Sequence, residues 1–165
     1  MSIVIERAHA ETPGLSAFLE AHHEEISGTA PPESIHALPF DRLLAPGVRL
    51  FAGLSAGRAV ATGALVPLGD DHEELKSMRT DPSVRGQGVG RAMLSFLLGD
   101  AERRGVGRIS LETGSDDFFL PARTLYSGAG FRECGPFGRY RPDPNSTFMT
   151  LSPLSASRLL SVDTR

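Results

Sequence analysis

A glycine-rich turn between a strand-like segment and a long amphipathic segment limits most strongly what this chain can fold into. The turn lies in the stretch TDPSVRGQGVGRAML at positions 80–94. Its glycines keep side chains away from the backbone N–H groups at the start of the following helix, and an arginine stands on either side of them. Uncovered N–H groups and the positive end of a helix dipole together form a site for an anion. The sequence therefore predicts a strand, an anion-binding turn and a helix in succession.

Two common phosphate-binding motifs do not fit this turn. The P-loop requires a lysine directly after its second glycine, and no lysine follows these glycines. The dinucleotide fingerprint requires a third glycine three positions after the second. Counted from Gly86 that position is Arg91, and counted from Gly88 it is Met93. The anion is therefore expected to belong to another kind of ligand.

The totals exclude several other classes of protein. A length of 165 residues predicts one domain, 1–165, with a core over 3–151 and a tail over 152–165. The net charge of -3 and the single lysine argue against a nucleic-acid partner, which needs clustered basic side chains. No apolar run approaches the ~18 residues of a membrane span, so no membrane partner is expected. The lone Cys134 excludes an intrachain disulfide and fits a reducing compartment, which predicts a cytoplasmic location.

Hydrophobic periodicity predicts seven strands and four helices along the chain. The expected strands are 2–6, 48–54, 58–68, 73–80, 108–113, 131–134 and 146–151. The expected helices are 12–26, 33–38, 87–104 and 119–129, with a further turn at 39–44 and with Thr12 as the cap of the first helix. This order indicates an α/β (α+β) fold, a mixed sheet with helices on it.

Two motifs together carry a resemblance to a known family. The turn reads Arg85-x-x-Gly88-x-Gly90, which is similar to the acetyl-CoA-binding signature of the GNAT N-acetyltransferase superfamily. About 35 residues later, the segment 122–131 reads ARTLYSGAGF and resembles the second hallmark of that superfamily, Ala-x-x-Leu-Tyr-x-x-x-Gly-Phe. The resemblance extends over roughly 3–151, and the segments 74–80 and 134–137 are similar to those of a bacterial branch of uncharacterised small members. It implies a mixed, mostly antiparallel central sheet of six to seven strands with about four flanking helices.

The resemblance implies acetyl-CoA as the acyl donor and assigns most of its contacts. The backbone N–H groups of the turn would cradle the pyrophosphate, and the end of the preceding strand would pair with the pantetheine amides through its open edge. The implied cofactor-binding residues are Met78, Arg79, Thr80, Arg85, Gly86, Gln87, Gly88, Val89, Gly90, Arg91 and Phe119. Phe119 stands where the superfamily often has an asparagine that contacts the pantetheine, so that contact is expected to be lost or replaced by apolar packing.

The resemblance also implies an acid and leaves the base open. Tyr126 would lie beside the sulfur and donate a proton to the leaving thiolate. For the base we expect Glu74, on the strand before the turn, where alternation would place Glu74, Lys76 and Met78 on one face. His72 is the second candidate, and many members of the superfamily have no single residue in this role.

The acceptor is the least specified part of the sequence. The implied acceptor contacts are Ser34 and His36, in the segment that roofs the acceptor pocket in the superfamily. No metal is expected, because the acidic run 70–74 and the run HHEE at 22–25 lack ligand spacing; we interpret the second as an exposed helix face. The prediction is a direct N-acetyltransferase that acts on a small-molecule amine, with a possible homodimer. The alternatives are a non-catalytic acyl-CoA-binding module and a protein N-acetyltransferase.

Overall fold

The computed structural model describes residues 2–154, and its centre is one seven-stranded sheet. The strands are β1 (Val4–Arg7), β2 (Arg49–Ser55), β3 (Arg58–Gly69), β4 (His72–Thr80), β5 (Arg108–Gly114), β6 (Arg132–Cys134) and β7 (Ser146–Leu151). Across the sheet they follow the order β1-β2-β3-β4-β5-β7-β6. Every neighbouring pair is antiparallel except β4 and β5, which run parallel. The predicted mixed, mostly antiparallel sheet is confirmed, as is the order of its elements.

Four helices lie on the sheet, and two expectations about them are wrong. They are α1 (Leu15–Ile26), α2 (Phe40–Leu43), α3 (Val89–Arg103) and α4 (Leu120–Gly128). Helix α1 has Gly14 as its N-cap, because the Thr12 hydroxyl accepts a hydrogen bond from the backbone N–H of His9 instead. The segment 33–38 forms only a 3₁₀ turn, Pro32–Ser34, since the proline at position 39 disfavours helical geometry in the residue before it.

Each face of the sheet buries its own apolar cluster, because neighbouring side chains of a strand point to opposite faces. Leu50 packs in the cluster under α1 and α2, whereas the next residue, Phe51, packs in the cluster under α3 and α4. Helix α3 is the most deeply buried of the four helices, and its apolar side chains Met93, Leu94 and Leu97 are almost completely covered. This packing holds the start of α3 against the end of β4, where the glycine-rich turn lies.

The sheet divides between β4 and β5. These two strands pair only through His72, Glu73 and Glu74 of β4, although β4 continues to Thr80. Beyond Glu74, the edge of β4 that faces β5 has no strand beside it, which leaves backbone hydrogen-bonding groups open. The division creates the cleft that holds the candidate site.

A bulge in β4 overturns one expectation about its faces. The pairing of β3 with β4 shifts between Thr62 and Ala64, and Ser77 adopts a left-handed φ of 53°. The Ser77 carbonyl accepts a hydrogen bond from the Thr62 hydroxyl at 2.7 Å. The extra residue reverses the alternation, so Met78 packs in the same cluster as Leu75 instead of on the face of Glu74 and Lys76.

A network of ion pairs fastens the end of α3 to the sheet. Arg104 donates two hydrogen bonds to Glu73 of β4, at 2.6 and 3.0 Å, and one to Asp100 at 3.0 Å. Arg49 of β2 donates two more to the same Asp100, at 2.7 and 2.9 Å. Burial alone would raise the pKa of Asp100, but the two guanidinium groups outweigh it and lower that pKa. The contacts to Asp100 therefore stabilise the fold only while this carboxylate is ionised.

The structure addresses the expectations about the C-terminal tail and about membrane spans only for the residues that it describes. Most of the predicted tail, 155–165, lies outside the described residues. Within residues 2–154, no helix is both long enough and apolar enough to cross a membrane.

Candidate active site

A cavity of about 520 Å³ follows the open edge of β4 towards the glycine-rich turn. Met78, Arg79 and Thr80 form its floor, and residues of α4 form the opposite wall. The remaining predicted cofactor contacts that line it are Arg85, Gly86, Gly88, Val89, Gly90, Arg91 and Phe119. Gln87 is the one predicted cofactor contact that does not line the cavity, and its side chain is exposed. We refer to this space as the cofactor cavity.

The geometry of the turn suits an anion at the end of the cofactor cavity. Gly88 is the N-cap of α3, with a φ of 81° that side-chain-bearing residues rarely adopt. No side chain caps this helix end, so its first N–H groups are available to a ligand. The exposed Arg91 lies within the first turn of α3. The positive end of a helix of 15 residues and this guanidinium both favour negative charge here.

Glu25 of α1 holds two of the arginines beside the turn. It accepts hydrogen bonds from Arg85 at 2.8 Å and from Arg79 at 3.2 Å. Arg79 also donates to the backbone carbonyl of Phe18, and its guanidinium stacks 4.5 Å from the centre of that ring. Burial would raise the pKa of Glu25, but the two arginines outweigh it and lower that pKa. The expectation that positions 22–25 form an exposed helix face is therefore wrong.

A second cavity, of about 310 Å³, lies between β4 and β5 beyond the end of their pairing and is called the acceptor cavity below. Its walls come from α1, from the segment after it, from β4 and from the end of β5. Both predicted acceptor contacts, Ser34 and His36, line it. Ser34 is buried and accepts a long hydrogen bond of 3.4 Å from the Asn145 side chain, while the His36 ring packs edge-on against Tyr140 at 5.0 Å.

The acceptor cavity contains a carboxylate that the sequence reasoning missed. Glu112 of β5 lines this space and is mostly buried. Burial raises its pKa; the Ser146 hydroxyl and the charge of Lys76 work against that rise. The Ser146 hydroxyl is itself buried without a hydrogen-bond partner of good geometry among residues 2–154. Strand alternation in β5 could have revealed Glu112 from the sequence. Its neighbour Leu111 belongs to the core, so the side chain of Glu112 must lie on the opposite face of the sheet.

Glu74, the expected base, lies outside the acceptor cavity. Its buried carboxylate accepts hydrogen bonds from the Tyr140 hydroxyl at 2.5 Å and from the Lys76 ammonium at 3.2 Å. Lys76 also donates to the Tyr140 hydroxyl at 2.8 Å. Glu74 does not line the acceptor cavity but a third, outer cavity of about 690 Å³, which also contains Arg139 and Arg141.

The second base candidate and a neighbouring arginine are remote from the site or structural. His72 bonds to the Ser110 hydroxyl at 2.7 Å and lines neither the cofactor nor the acceptor cavity. Arg123 donates to two backbone carbonyls, those of Gly114 and Asp116, and so holds the loop after β5. Within residues 2–154, no cluster of three or more His, Cys, Asp or Glu side chains could hold a metal.

Phe119, which replaces the asparagine of the resemblance, lies where the two cavities meet. A Cβ atom at Gly114 would overlap its ring, so the glycine admits the phenylalanine at this point. The ring also packs edge-on against Phe118 at 4.9 Å. The wall here is apolar, and the loss or replacement of the pantetheine contact at this position stays a prediction.

Tyr126 lies at the same junction and lines both cavities. Its side chain is 6% exposed and packs 5.7 Å from the ring of Phe131. Burial raises the pKa of its hydroxyl far above the ordinary value, so the group stays protonated at neutral pH. Its hydroxyl makes no side-chain hydrogen bond to any residue that the structure describes. It is therefore a free donor between the two cavities.

A split sheet with an anion-binding turn and two joined cavities defines a group-transfer site for a long phosphorylated donor and a second substrate. The sequence profile of the Acetyltransferase (GNAT) family matches residues 15–131. The chain belongs to this family, which confirms the resemblance noted from the two motifs, and it is an acyltransferase. Enzymes of the family use acetyl-CoA as the donor.

Individual relatives agree with this assignment. The chain is 42% identical over 134 residues to the uncharacterized N-acetyltransferase YsnE of Bacillus subtilis, covering 81% of this chain and 89% of that protein. It is 35% identical over 149 residues to an IAA acetyltransferase of Azospirillum brasilense, covering 90% and 96%. A solved structure from Klebsiella pneumoniae, assigned as an acyl-CoA N-acyltransferase, superposes with a TM-score of 0.70 at 30% identity and covers 93% of this chain and 98% of that one.

Proposed function

We propose that the protein transfers the acetyl group of acetyl-CoA directly to the amine of a small molecule held in the acceptor cavity. The observation that carries this proposal is the junction of the cofactor and acceptor cavities beside Tyr126, with Glu112 on the acceptor side. A volume of about 310 Å³ suits a small molecule.

The residues of the cofactor cavity fit coenzyme A. The N–H groups at the start of α3 and the side chain of Arg91 would hold the pyrophosphate, and the open edge of β4 near Met78 and Thr80 would pair with the pantetheine amides. Bound there, acetyl-CoA supplies an acetyl group already activated as a thioester. The chain then has to bring a neutral amine to it and protonate the departing thiolate.

Glu112 is the best-placed base of the described residues. Its carboxylate accepts a proton from the acceptor amine, so that the nitrogen lone pair can attack the thioester carbon. A carbon–nitrogen bond forms, the carbon–sulfur bond breaks, and Tyr126 donates its proton to the sulfur. The nitrogen then gives its second proton to the Tyr126 oxygen, which restores the hydroxyl, and Glu112 releases the first proton to solvent. Burial raises the pKa of Glu112 towards neutral pH. A general base is most effective when its pKa is near the pH of the reaction. In this proposal Glu74 has a structural role, because its carboxylate already accepts hydrogen bonds from Tyr140 and Lys76.

Charge favours a cationic amine as the acceptor. The acceptor cavity is lined by two acidic side chains, Glu112 and Asp116, and by one basic side chain, Lys76. The charge of Lys76 is already balanced by its ion pair with Glu74. An ammonium group therefore gains more than a carboxylate on entering this space. A carboxylate-bearing acceptor has less support, because Arg79 and Arg123 are occupied and Arg139 and Arg141 lie in the outer cavity.

The decisive experiment is a screen of thiol release from acetyl-CoA over a panel of small amines and of peptides with free N-termini. We expect thiol release with at least one small amine and a product heavier by one acetyl group. The variant Glu112→Gln should lower kcat/KM by about 100-fold, the usual worth of a general base, whereas Glu133→Gln on the exposed edge of β6 serves as the matched control.

Other outcomes would contradict the proposal in different ways. Acetyl-CoA binding by calorimetry without turnover over the whole panel would favour the non-catalytic module. Acetylation of the peptides alone would favour a protein N-acetyltransferase. The absence of acetyl-CoA binding would contradict the assignment of the cofactor cavity itself.

A further inference from the structure

The cofactor and acceptor cavities share a short stretch of wall, and only two of its side chains can form hydrogen bonds. The residues that line both cavities are His22, Ile26, Met78, Phe119, Ala122 and Tyr126. Ile26, Phe119 and Ala122 are hydrocarbon, and the thioether of Met78 is only a weak acceptor. Tyr126 already has a part in the proposed reaction. His22 does not, although it lines both cavities.

The position of His22 is imposed by its neighbours on α1. Glu25 ties this helix to Arg79 of β4 and to Arg85 of the turn. His23 bonds through its Nε2 to the backbone carbonyl of Leu38 at 3.1 Å, so it faces the segment that roofs the acceptor cavity. These contacts hold α1 from two sides and leave the intervening ring of His22 directed at the junction. Its ring nitrogens have no hydrogen-bond partner among residues 2–154.

The surroundings of His22 keep its ring neutral. Burial lowers its pKa to about 4, and the charges of Arg79, His23 and Arg85 act in the same direction, while Glu25 opposes them. A neutral imidazole has one N–H donor and one unprotonated nitrogen that accepts. Such a ring does not repel a cationic amine, and it presents an acceptor to it at every pH at which proteins are normally assayed.

We propose that His22 is an acceptor-binding residue, whose unprotonated ring nitrogen accepts a hydrogen bond from the acceptor amine at the junction of the two cavities. The proposal rests on the proposed function and adds a contact to it. With one N–H of the amine held by His22 and another proton taken by Glu112, the nitrogen lone pair faces the thioester. His22 takes no proton in this scheme, because the proton of the amine goes to Glu112.

Kinetics of three variants test this contact. We expect His22→Phe to raise the KM for the amine by about tenfold, the value of one hydrogen bond of about 1.4 kcal/mol, with the KM for acetyl-CoA changed less than about twofold. His22→Gln restores an acceptor oxygen near the position of the lost ring nitrogen, so it should recover most of the affinity. His9→Gln is the matched control, because His9 is exposed and lines neither cavity.

Nuclear magnetic resonance provides a readout that does not depend on turnover. In protein saturated with coenzyme A, addition of the acceptor amine should shift the ring nitrogen resonances of His22 and leave those of His9 unchanged. This measurement uses the wild-type chain, so it remains decisive if the His22→Phe variant fails to fold.

The proposal and the proposed function fail in different ways. If the wild type turns over, two results overturn the role of His22 and leave the transferase intact. One is a KM for the amine that His22→Phe does not change. The other is the absence of a shift in the His22 resonances of the wild type. A loss of amine affinity that His22→Gln does not restore shows a packing role and also overturns it. No turnover by the wild type over the whole panel of amines contradicts the proposed function itself.

Discussion

Replacement of Tyr126 by phenylalanine removes one oxygen atom from the junction of the two cavities and little else. The hydroxyl has no side-chain partner among the described residues, so its loss leaves no buried group unsatisfied. The ring keeps its packing against Phe131. We therefore expect the free energy of unfolding of Tyr126→Phe to stay within about 0.5 kcal/mol of the wild type.

The effect on turnover should be much larger. Without the hydroxyl the thiolate must leave unprotonated, and the loss of a general acid typically slows a reaction about 100-fold or more. That factor corresponds to about 2.7 kcal/mol of activation free energy. The assay is steady-state thiol release at saturating acetyl-CoA and amine, with coenzyme A affinity measured separately by calorimetry. We expect kcat to fall while the Kd for coenzyme A changes less than about threefold, a difference below 1 kcal/mol.

The second tyrosine of the chain supplies the opposite control. Tyr140 donates to Glu74 and accepts from Lys76, so Tyr140→Phe leaves a buried carboxylate without one of its partners. This variant should lose about 1–3 kcal/mol of stability and keep kcat within about threefold of the wild type, a difference below 1 kcal/mol. An unchanged kcat in Tyr126→Phe would refute the reasoning about the acid, and equal losses of kcat in both variants would show that the assay reports packing.

Four further predictions concern the base, the sheet and the turn. Because the pKa of Glu112 is raised, the acid limb of kcat/KM should lie above the ordinary glutamate value of about 4.3, and Glu112→Gln should abolish that limb; a limb that persists in this variant would contradict the assignment. Gly63→Ala would force a Cβ against a leucine of α3, so it should destabilise the fold by about 1–3 kcal/mol in urea unfolding. Arg104→Met removes an ion-pair partner of Asp100, whose pKa in the folded state is lowered. The loss of stability should therefore be present near pH 7 and should diminish as the pH falls through that lowered pKa. A loss of equal size at low pH would contradict an electrostatic origin. Gly88→Ala should strain the left-handed cap of α3 by about 1–2 kcal/mol and weaken coenzyme A binding in calorimetry, and an unchanged Kd would show that the turn tolerates the strain.

The positions of the acid and base candidates show where prediction from sequence ends. The role of Tyr126 follows from a resemblance that a short motif in α4 carries, so it needs only residues that are near one another in the chain. Glu74 is misplaced relative to Met78, because a bulge in β4 at Ser77 interrupts strand alternation, and no residue type in that strand announces it. Glu112 is missed because its environment depends on Lys76 and on other side chains from distant parts of the chain.

The strand, the glycine-rich turn and the helix after it were determined by the sequence alone, together with the order of the elements. These features depend on neighbours within a few residues, where Gly86 and Gly88 permit left-handed geometry and leave the N–H groups of α3 uncovered. The two cavities, and the residues that meet between them, were decided only by the tertiary structure. His22 lies on α1 and Glu112 on β5, and only the division of the sheet beyond Glu74 brings them to one site. Burial and charge at that site depend on packing between distant segments, which no local pattern of residues contains.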